Sequence, residues 1–410
     1  MSTTPNDTVM DLTLSFVGFV LGIAITLSIV LLFPLNHTKY KTSSFTRKQN
    51  VKKWQPPQIS KGLEGCIGNT PMIYLRTLSE ASGCTILGKA EFLNPGGSSK
   101  DRIAREIILS AQKSGALPKG GTIIEGTSGS TGISLSLMAA ATGCKCEITM
   151  PSDQAVEKSN LMTLFGATVE RVQPAAISND KHYSRLAESR AKLSQENAMR
   201  NNEYHCSTFY TDQFENLDNV KAHRTTTGVE IWEQTGGEID AFVMSAGTGG
   251  TLTGVGSYLK EQNDQIQIIL ADPTGSVLYH RVKDGVAYTP QQSEKTLKRV
   301  RVDTITEGIG IDRLTRNFTE YEECVDDALR ITDQEAVNMS WHLLRKEGLF
   351  LGSSSGLNCT AAMKVAKQLG PGHTIVTVLC DSGNRHLTKL YNEEFLQKNE
   401  LYVNIDAALV

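Results

Sequence analysis

This 410-residue chain has no excess of basic charge, since its formal net charge is −3. A surface built to bind nucleic acid is therefore not expected. Its eight cysteines form no Cys-x-x-Cys pair, and a chain this long needs no disulfide framework. They read as reduced thiols facing the cytosol or a similar compartment. The Cys144-x-Cys146 pair and His205-Cys206 lack partners at ligand spacing, so no metal site is expected. There is no internal repeat. Two common phosphate-binding signatures are also missing. Gly247-Thr-Gly249-Gly-Thr-Leu252 puts leucine where a Rossmann fingerprint needs its third glycine, and no Gly-Lys-Ser/Thr follows as a Walker A loop requires. What remains is ordinary globular material, 40% hydrophobic and 21% charged, long enough for two or three domains.

The first 57 residues differ from the rest. Leu12–Phe33 is an uncharged run of 22 residues. As a helix it spans roughly 33 Å, enough for a hydrocarbon core. A signal peptide would have a shorter apolar region and a basic lead, whereas Asp7 and Asp11 precede this one. Between Lys39 and Lys53 all charges are positive, which puts the C-terminal side in the cytosol. The sequence thus predicts a short tail (1–11), a transmembrane helix (12–33) held in the bilayer, and a basic linker (34–57). A mitochondrial outer-membrane location fits, with the endoplasmic reticulum as the alternative.

Beyond the linker, strands alternate with helices. Thr122–Glu125, Cys146–Met150, Thr168–Val172, Asp240–Ser245 and Ile266–Ala271 read as strands. Ile133–Ala141, Val156–Phe165 and Leu252–Lys260 read as helices. This is the α/β pattern of parallel sheets covered on both faces, with enough chain for two lobes and a cleft. Ligands in such folds sit where strand ends pass into helices.

Two glycine-rich loops occupy such places. EGTSGSTG (Glu125–Gly132) offers hydroxyls from Thr127, Ser128, Ser130 and Thr131, and glycines at 126, 129 and 132 let the backbone come close. Free N–H groups at a helix start favour an anion. With no lysine or arginine, the loop suits a small carboxylate better than a triphosphate. SAGTGGTLTG (Ser245–Gly254) provides a nest of donors from Gly247, Thr248, Gly249, Gly250 and Thr251, suited to one phosphate monoester. An amino acid and a phosphorylated cofactor would satisfy both loops. Lys100 follows the turn Asn94-Pro-Gly-Gly97 and falls in the first turn of a helix. The positive helix end and burial both lower a lysine pKa, as imine chemistry needs.

Together these motifs resemble the cysteine synthase and cystathionine β-synthase family, and particularly its membrane-anchored fungal mitochondrial branch. The likeness runs from Gly65 to Glu394 through IGNTPMIYL, NPGGSSKDRIA, TSGSTG, QFEN, TTGVEIW, AGTGGTLTG, EGIGI, KEGLFLGSSSG and CDSGNRHL. It implies the tryptophan synthase β-like fold (fold type II) of pyridoxal 5'-phosphate enzymes, commonly homodimeric. It implies a larger cofactor-binding lobe (58–93 and 217–395), a smaller lobe (94–216) and a C-terminal tail (396–410). The segment Cys144–Ser189 is expected to close over substrate. By the same resemblance, Lys100 holds the cofactor and moves the α-proton. Gly247–Thr251 cradle the phosphate and Ser354 meets the pyridine nitrogen. Thr127, Ser128, Gly129, Thr131 and Gln213 take the substrate carboxylate. The implied reaction is β-replacement, giving L-cysteine from O-acetyl-L-serine and hydrogen sulfide. A β-eliminating lyase and a weakly catalytic cofactor-binding sensor are the alternatives.

The chain departs from the family pattern in two functional places. Ser130 stands where the family usually has an asparagine that bonds the cofactor's phenolic oxygen. GIGIDRLTRNF brings charged Asp312, Arg313 and Arg316 to the mouth of the site.

Overall fold

The computed structural model describes residues 59–60, 62–200, 208–289 and 304–409. The run Leu12–Phe33 and its linker lie outside these residues. Among the described residues no helix is long and apolar enough to cross a membrane.

Among the described residues, ten strands form two sheets. They are β1 (Met72–Tyr74), β2 (Thr85–Lys89), β3 (Thr122–Gly126), β4 (Lys145–Pro151), β5 (Thr168–Val172), β6 (Thr208–Tyr210), β7 (Ala241–Ser245), β8 (Gln267–Pro273), β9 (Asp327–Ile331) and β10 (Thr374–Val378). The six-stranded sheet runs β1-β2-β10-β7-β8-β9 and the four-stranded sheet β5-β4-β3-β6. Only β1 pairs antiparallel; the other pairings are parallel. Six helices frame the site: α1 (Lys100–Ser114), α2 (Ser130–Thr142), α3 (Val156–Leu164), α4 (Gly250–Gln262), α5 (Asp333–His342) and α6 (Ser353–Leu369).

The larger sheet is buried on both faces, as parallel sheets are. Ala241 and Val243 of β7 pack with Ile86, Ile269 and Ile375 on one side. Phe242 and Met244 pack with Ile268, Leu270 and Val376 on the other. This is the period-two alternation of a strand, with apolar residues at every position because neither face meets water. The smaller sheet rests on α1 and α2 through Ile123, Ile148, Ala104, Ile108, Ile133 and Met138.

The strand orders fix where ligands can bind. In the four-stranded sheet the chain runs β3-β4-β5 in one direction, then returns to place β6 on the other flank of β3. In the larger sheet it runs β7-β8-β9, then returns to place β10 on the other flank of β7. Each reversal opens a crevice at the carboxyl end of the central strand. The loops leaving β3 and β7 are the two glycine-rich loops.

Two helix starts differ from the sequence reading. The helix expected from Ile133 begins at Ser130, and the one expected from Leu252 begins at Gly250. Serine, threonine and glycine read as loop residues because they are poor helix formers. In the first turn, packing overrides that preference: Thr131, Gly132, Gly250 and Thr251 are buried. Each loop therefore ends inside a helix, with its free N–H groups turned toward the crevice. Residues 401–409 run along the larger sheet's helices. Tyr402 and Gln334 exchange hydrogen bonds, and Asn404 N donates to Asn338 Oδ1 at 3.0 Å.

Candidate active site

One cavity of about 590 Å³ lies between the two crevices, within the range of about 300–1,000 Å³ usual for small-molecule sites. It is lined by Lys100, Thr127, Ser128, Ser130, Thr131, Gln213, Gly247, Thr248, Gly249, Thr251 and Ser354, eleven of the thirteen residues singled out from sequence. Gly129 and Gly250 do not line it and serve as spacers. A Cβ on Gly129 would lie 2.4 Å from Lys158 Cδ, and one on Gly250 would lie 2.1 Å from Asn219 Oδ1.

Lys100 is placed by the loop before α1. Ser98 bridges to Asp381, and Ser99 N donates to Cys380 O at 3.0 Å. That tie brings the α1 start against the loop leaving β10. The same loop meets the α6 start, where Gly352 N donates to Asp381 O and Cys380 N to Ser355 Oγ. Lys100 and Ser354 thus face one space. Burial lowers the Lys100 pKa from its ordinary value, although Cys380, Asp381 and Glu91 pull the other way. Cys380 also lines the cavity.

The loop after β7 is packed on backbone. Gly249 caps α4 at φ 90, and a Cβ there would sit 2.9 Å from the Phe318 backbone. A Cβ on Gly247 would lie 2.2 Å from Gly308 O. Thr248 Oγ1 accepts from Asn219 Nδ2 at 2.9 Å, and Thr251 Oγ1 meets His223 Nε2 at 3.1 Å. Burial holds the His223 pKa well below its ordinary value, with Lys100 and Arg102 acting in the same direction. The imidazole is therefore neutral, and with Thr227 Oγ1 at 2.9 Å from Nδ1 it fixes the threonine hydroxyl. The cradle thus fits a phosphate: N–H groups at a helix start, two hydroxyls, and glycines where side chains would fill the space.

The loop after β3 is held differently. Gln213 Nε2 donates to Gly126 O at 3.0 Å, and Thr131 Oγ1 donates to Gln213 Oε1 at 2.5 Å. Beneath them Glu125 accepts from Gly126 N at 2.9 Å, Gln213 N at 3.1 Å and the Thr211 hydroxyl. Burial raises the Glu125 pKa to about 7 against those hydrogen bonds.

The mouth is closed by a buried ion cluster. Glu307 takes the ammonium groups of Lys158, on α3, and of Lys389, the latter at 2.5 Å. Burial alone would raise the Glu307 pKa, but Lys158, His386 and Lys389 hold it down to about 2. Lys389 also donates to Asp153 O, and Thr388 to Glu157. The segment expected to close over substrate is therefore fastened to residues 307 and 388–389. Arg313 lies over the Phe214 ring at 4.5 Å, also on the cavity wall. Sequence reasoning missed Asn219, His223, Glu125, Glu307, Lys389 and Arg385, because a buried polar residue carries no local pattern.

A lysine and two glycine-rich loops lining one cavity, on two largely parallel sheets, match the arrangement of a pyridoxal phosphate enzyme of fold type II. The chain belongs to the pyridoxal-phosphate dependent enzyme family, whose profile matches residues 63–381. It is 48% identical over 353 residues to cysteine synthase 2 of Schizosaccharomyces pombe, covering 86% of this chain and 88% of that one. It is 44% identical over 340 residues to the putative mitochondrial cysteine synthase of Saccharomyces cerevisiae, covering 82% and 85%. The O-acetylserine dependent cystathionine β-synthase of Helicobacter pylori superposes with TM-score 0.67 at 31% identity, over 81% of this chain and 98% of that one. The chain is thus a pyridoxal-phosphate-dependent enzyme of the cysteine synthase type.

Proposed function

We propose that the chain replaces the acetoxy group of O-acetyl-L-serine with sulfide, giving L-cysteine and acetate. The observation that carries this reading is the convergence of Lys100, the β7 loop and the β3 loop on one cavity. Pyridoxal phosphate, when bound, withdraws electrons from the substrate α-carbon and so lets its proton leave. The chain's own residues do the rest. Lys100 would hold the cofactor through its amine and, with substrate bound, would take the substrate's α-proton. Gly247–Thr251 hold the phosphate. Ser354, at the positive start of α6, offers a neutral hydroxyl to the ring nitrogen, which disfavours a full charge there. Thr127, Ser128, Thr131 and Gln213 orient the substrate carboxylate, with Gly129 spacing the loop. Residues 94–216 form a smaller lobe whose segment 144–189 opens to admit substrate and closes to exclude water.

The protein, loaded with pyridoxal phosphate and given O-acetylserine and sulfide, is expected to form cysteine and acetate in equal amounts. Lys100→Ala is expected to lose about a thousandfold or more of this turnover. Unchanged turnover in that variant sinks the assignment.

The reading extends to an anchor at Leu12–Phe33, with the body facing the cytosol from the mitochondrial outer membrane. Its support is the uncharged run, the basic flank and the mitochondrial relative. Deleting residues 1–35 should release soluble, active protein. Retention of that variant on membranes after alkaline extraction overturns the anchor. A homodimer is also proposed, and light scattering of the released protein tests it.

A further inference from the structure

Arg385 is buried, with 4% of its surface exposed. Its Nη1 donates to Ser130 Oγ at 3.3 Å. A guanidinium carries five N–H donors, yet among the described residues this hydroxyl is the only hydrogen-bond acceptor its side chain has. The nearby carboxylates Asp381 and Asp101 attract it without hydrogen-bonding to it. Asp101 accepts from Ser134 Oγ and Gly96 N, and Asp381 Oδ2 meets His386 Nε2 at 3.0 Å. No carboxylate of the described residues forms an ion pair with it. A buried cation, attracted by Asp381 and Asp101 but hydrogen-bonded to neither, therefore stands directly behind a hydroxyl on the cavity wall.

The contact determines what Ser130 can do. Its oxygen accepts from Arg385, so its own hydrogen must go elsewhere. Among the described residues that hydrogen has no acceptor. Ser130 lines the cavity, which leaves the cavity as the place for its hydrogen bond.

The position is on the Lys100 side. Ser134, the next turn of α2, bonds to Asp101, the neighbour of Lys100. Arg385 packs against Gly97, where a Cβ would lie 2.9 Å from Nη2. In pyridoxal phosphate the phenolic oxygen is ortho to the carbon that lysine takes, and the phosphate arm lies on the other flank of that carbon. A donor at the α2 start on the Lys100 side, rather than on the β7 loop, would meet the phenolic oxygen.

We propose that Arg385 is a positioning residue, which orients and polarises the Ser130 hydroxyl as the donor to the cofactor's phenolic oxygen and keeps that oxygen anionic. The pair would do here what the longer asparagine amide does where the family has TSGNTG. The inference rests on the cofactor reading above.

The test is the visible absorbance of the protein loaded with pyridoxal phosphate, recorded against pH for wild type, Ser130→Ala, Arg385→Gln, Arg385→Lys and the Ser130→Ala/Arg385→Gln double variant. Losing the donor should lower the ratio of the yellow, charge-separated form to the colourless, neutral form by about tenfold, the worth of a charge-assisted hydrogen bond. Ser130→Ala and Arg385→Gln should shift the ratio in the same direction, and Arg385→Lys should restore most of it. The double variant should match Ser130→Ala alone, since the arginine acts through the serine. Additive shifts, or an unchanged ratio in folded Arg385→Gln, overturn the proposal. If Arg385→Gln fails to fold, an unchanged ratio in Ser130→Ala overturns it equally. A wild-type protein that takes up no colour from the cofactor overturns the cofactor reading instead.

Discussion

The two glycine-rich loops do similar chemistry on different foundations. Both leave a central strand at a reversal of strand order, and both end in the first turn of a helix. The β7 loop rests on backbone and buried side chains: Gly308 O, the Phe318 backbone, Asn219 and His223. The β3 loop rests partly on side chains of α3. A Cβ on Gly129 would meet Lys158, and one on Gly132 would meet Met162 Cε. Both partners belong to α3, within the segment fastened by the ion cluster. A fixed cradle suits a cofactor that stays; a cradle leaning on a fastened segment suits a substrate that comes and goes.

The largest expected effect breaks the fixed loop. Gly249→Ala places a side chain at φ 90, 2.7 Å from Phe318 Cβ. Left-handed strain and overpacking together cost about 2–5 kcal/mol. The pyridoxal phosphate dissociation constant should rise about a hundredfold, as read by equilibrium dialysis. Gly129→Ala, with φ 149 and a clash against Lys158 Cδ, presses on a side chain that moves with the segment carrying α3 rather than on backbone. It should raise KM for the amino-acid substrate about tenfold and leave cofactor affinity within about threefold. Equal losses of cofactor affinity in the two variants would erase the contrast.

An effect confined to one segment sharpens it. Glu307→Gln keeps the shape of the cluster and leaves Lys158 and Lys389 without their carboxylate. Breaking a buried pair costs about 3–5 kcal/mol, and the loss should fall on the segment carrying α3. Hydrogen exchange should rise in residues 153–165 and not around β7. Because the folded-state pKa lies below the ordinary 4.5, the wild-type contribution is complete above pH 4.5 and is lost as pH falls toward about 2. Thermal melts of wild type and variant should therefore converge in acid. Parallel curves down to that range would assign the stability elsewhere.

Much of this was legible in the sequence, for physical reasons. Strands buried on both faces appear as short apolar runs, and Ala241–Ser245 is one. The loops were legible because glycine and hydroxyl residues cluster only where backbone must approach something closely. Their helix starts were not, since local propensity and tertiary packing disagree over Ser130–Gly132 and Gly250–Thr251. The fastening of the mouth was not legible either. Lys158 and its carboxylate are 149 residues apart, and each reads alone as a solvated charge. His223 likewise reads as any core histidine until the fold brings it to Thr251.

Glu125 gives the smallest effect and the finest discrimination between the loops. It ends β3 as a fully buried carboxyl, tied to Gly126 N on one side of the substrate loop and to Gln213 N on the other. The β7 loop has no such group: its strand ends in Ser245, whose N–H donates to Asn358 Oδ1. Burial raises the Glu125 pKa from 4.5 to about 7. A raised carboxyl holds its proton longer in the folded state, so its contribution to stability is complete below pH 4.5 and is lost as pH rises through about 7. Glu125→Gln keeps an acceptor oxygen and does not ionise. Its melting temperature relative to wild type should therefore rise between about pH 5 and pH 8. The KM for the amino acid should change by about two- to threefold, with cofactor affinity unmoved. A pH-independent difference would mean that the carboxyl does not titrate in the folded protein. A change in cofactor affinity would mean that the two loops share one foundation after all.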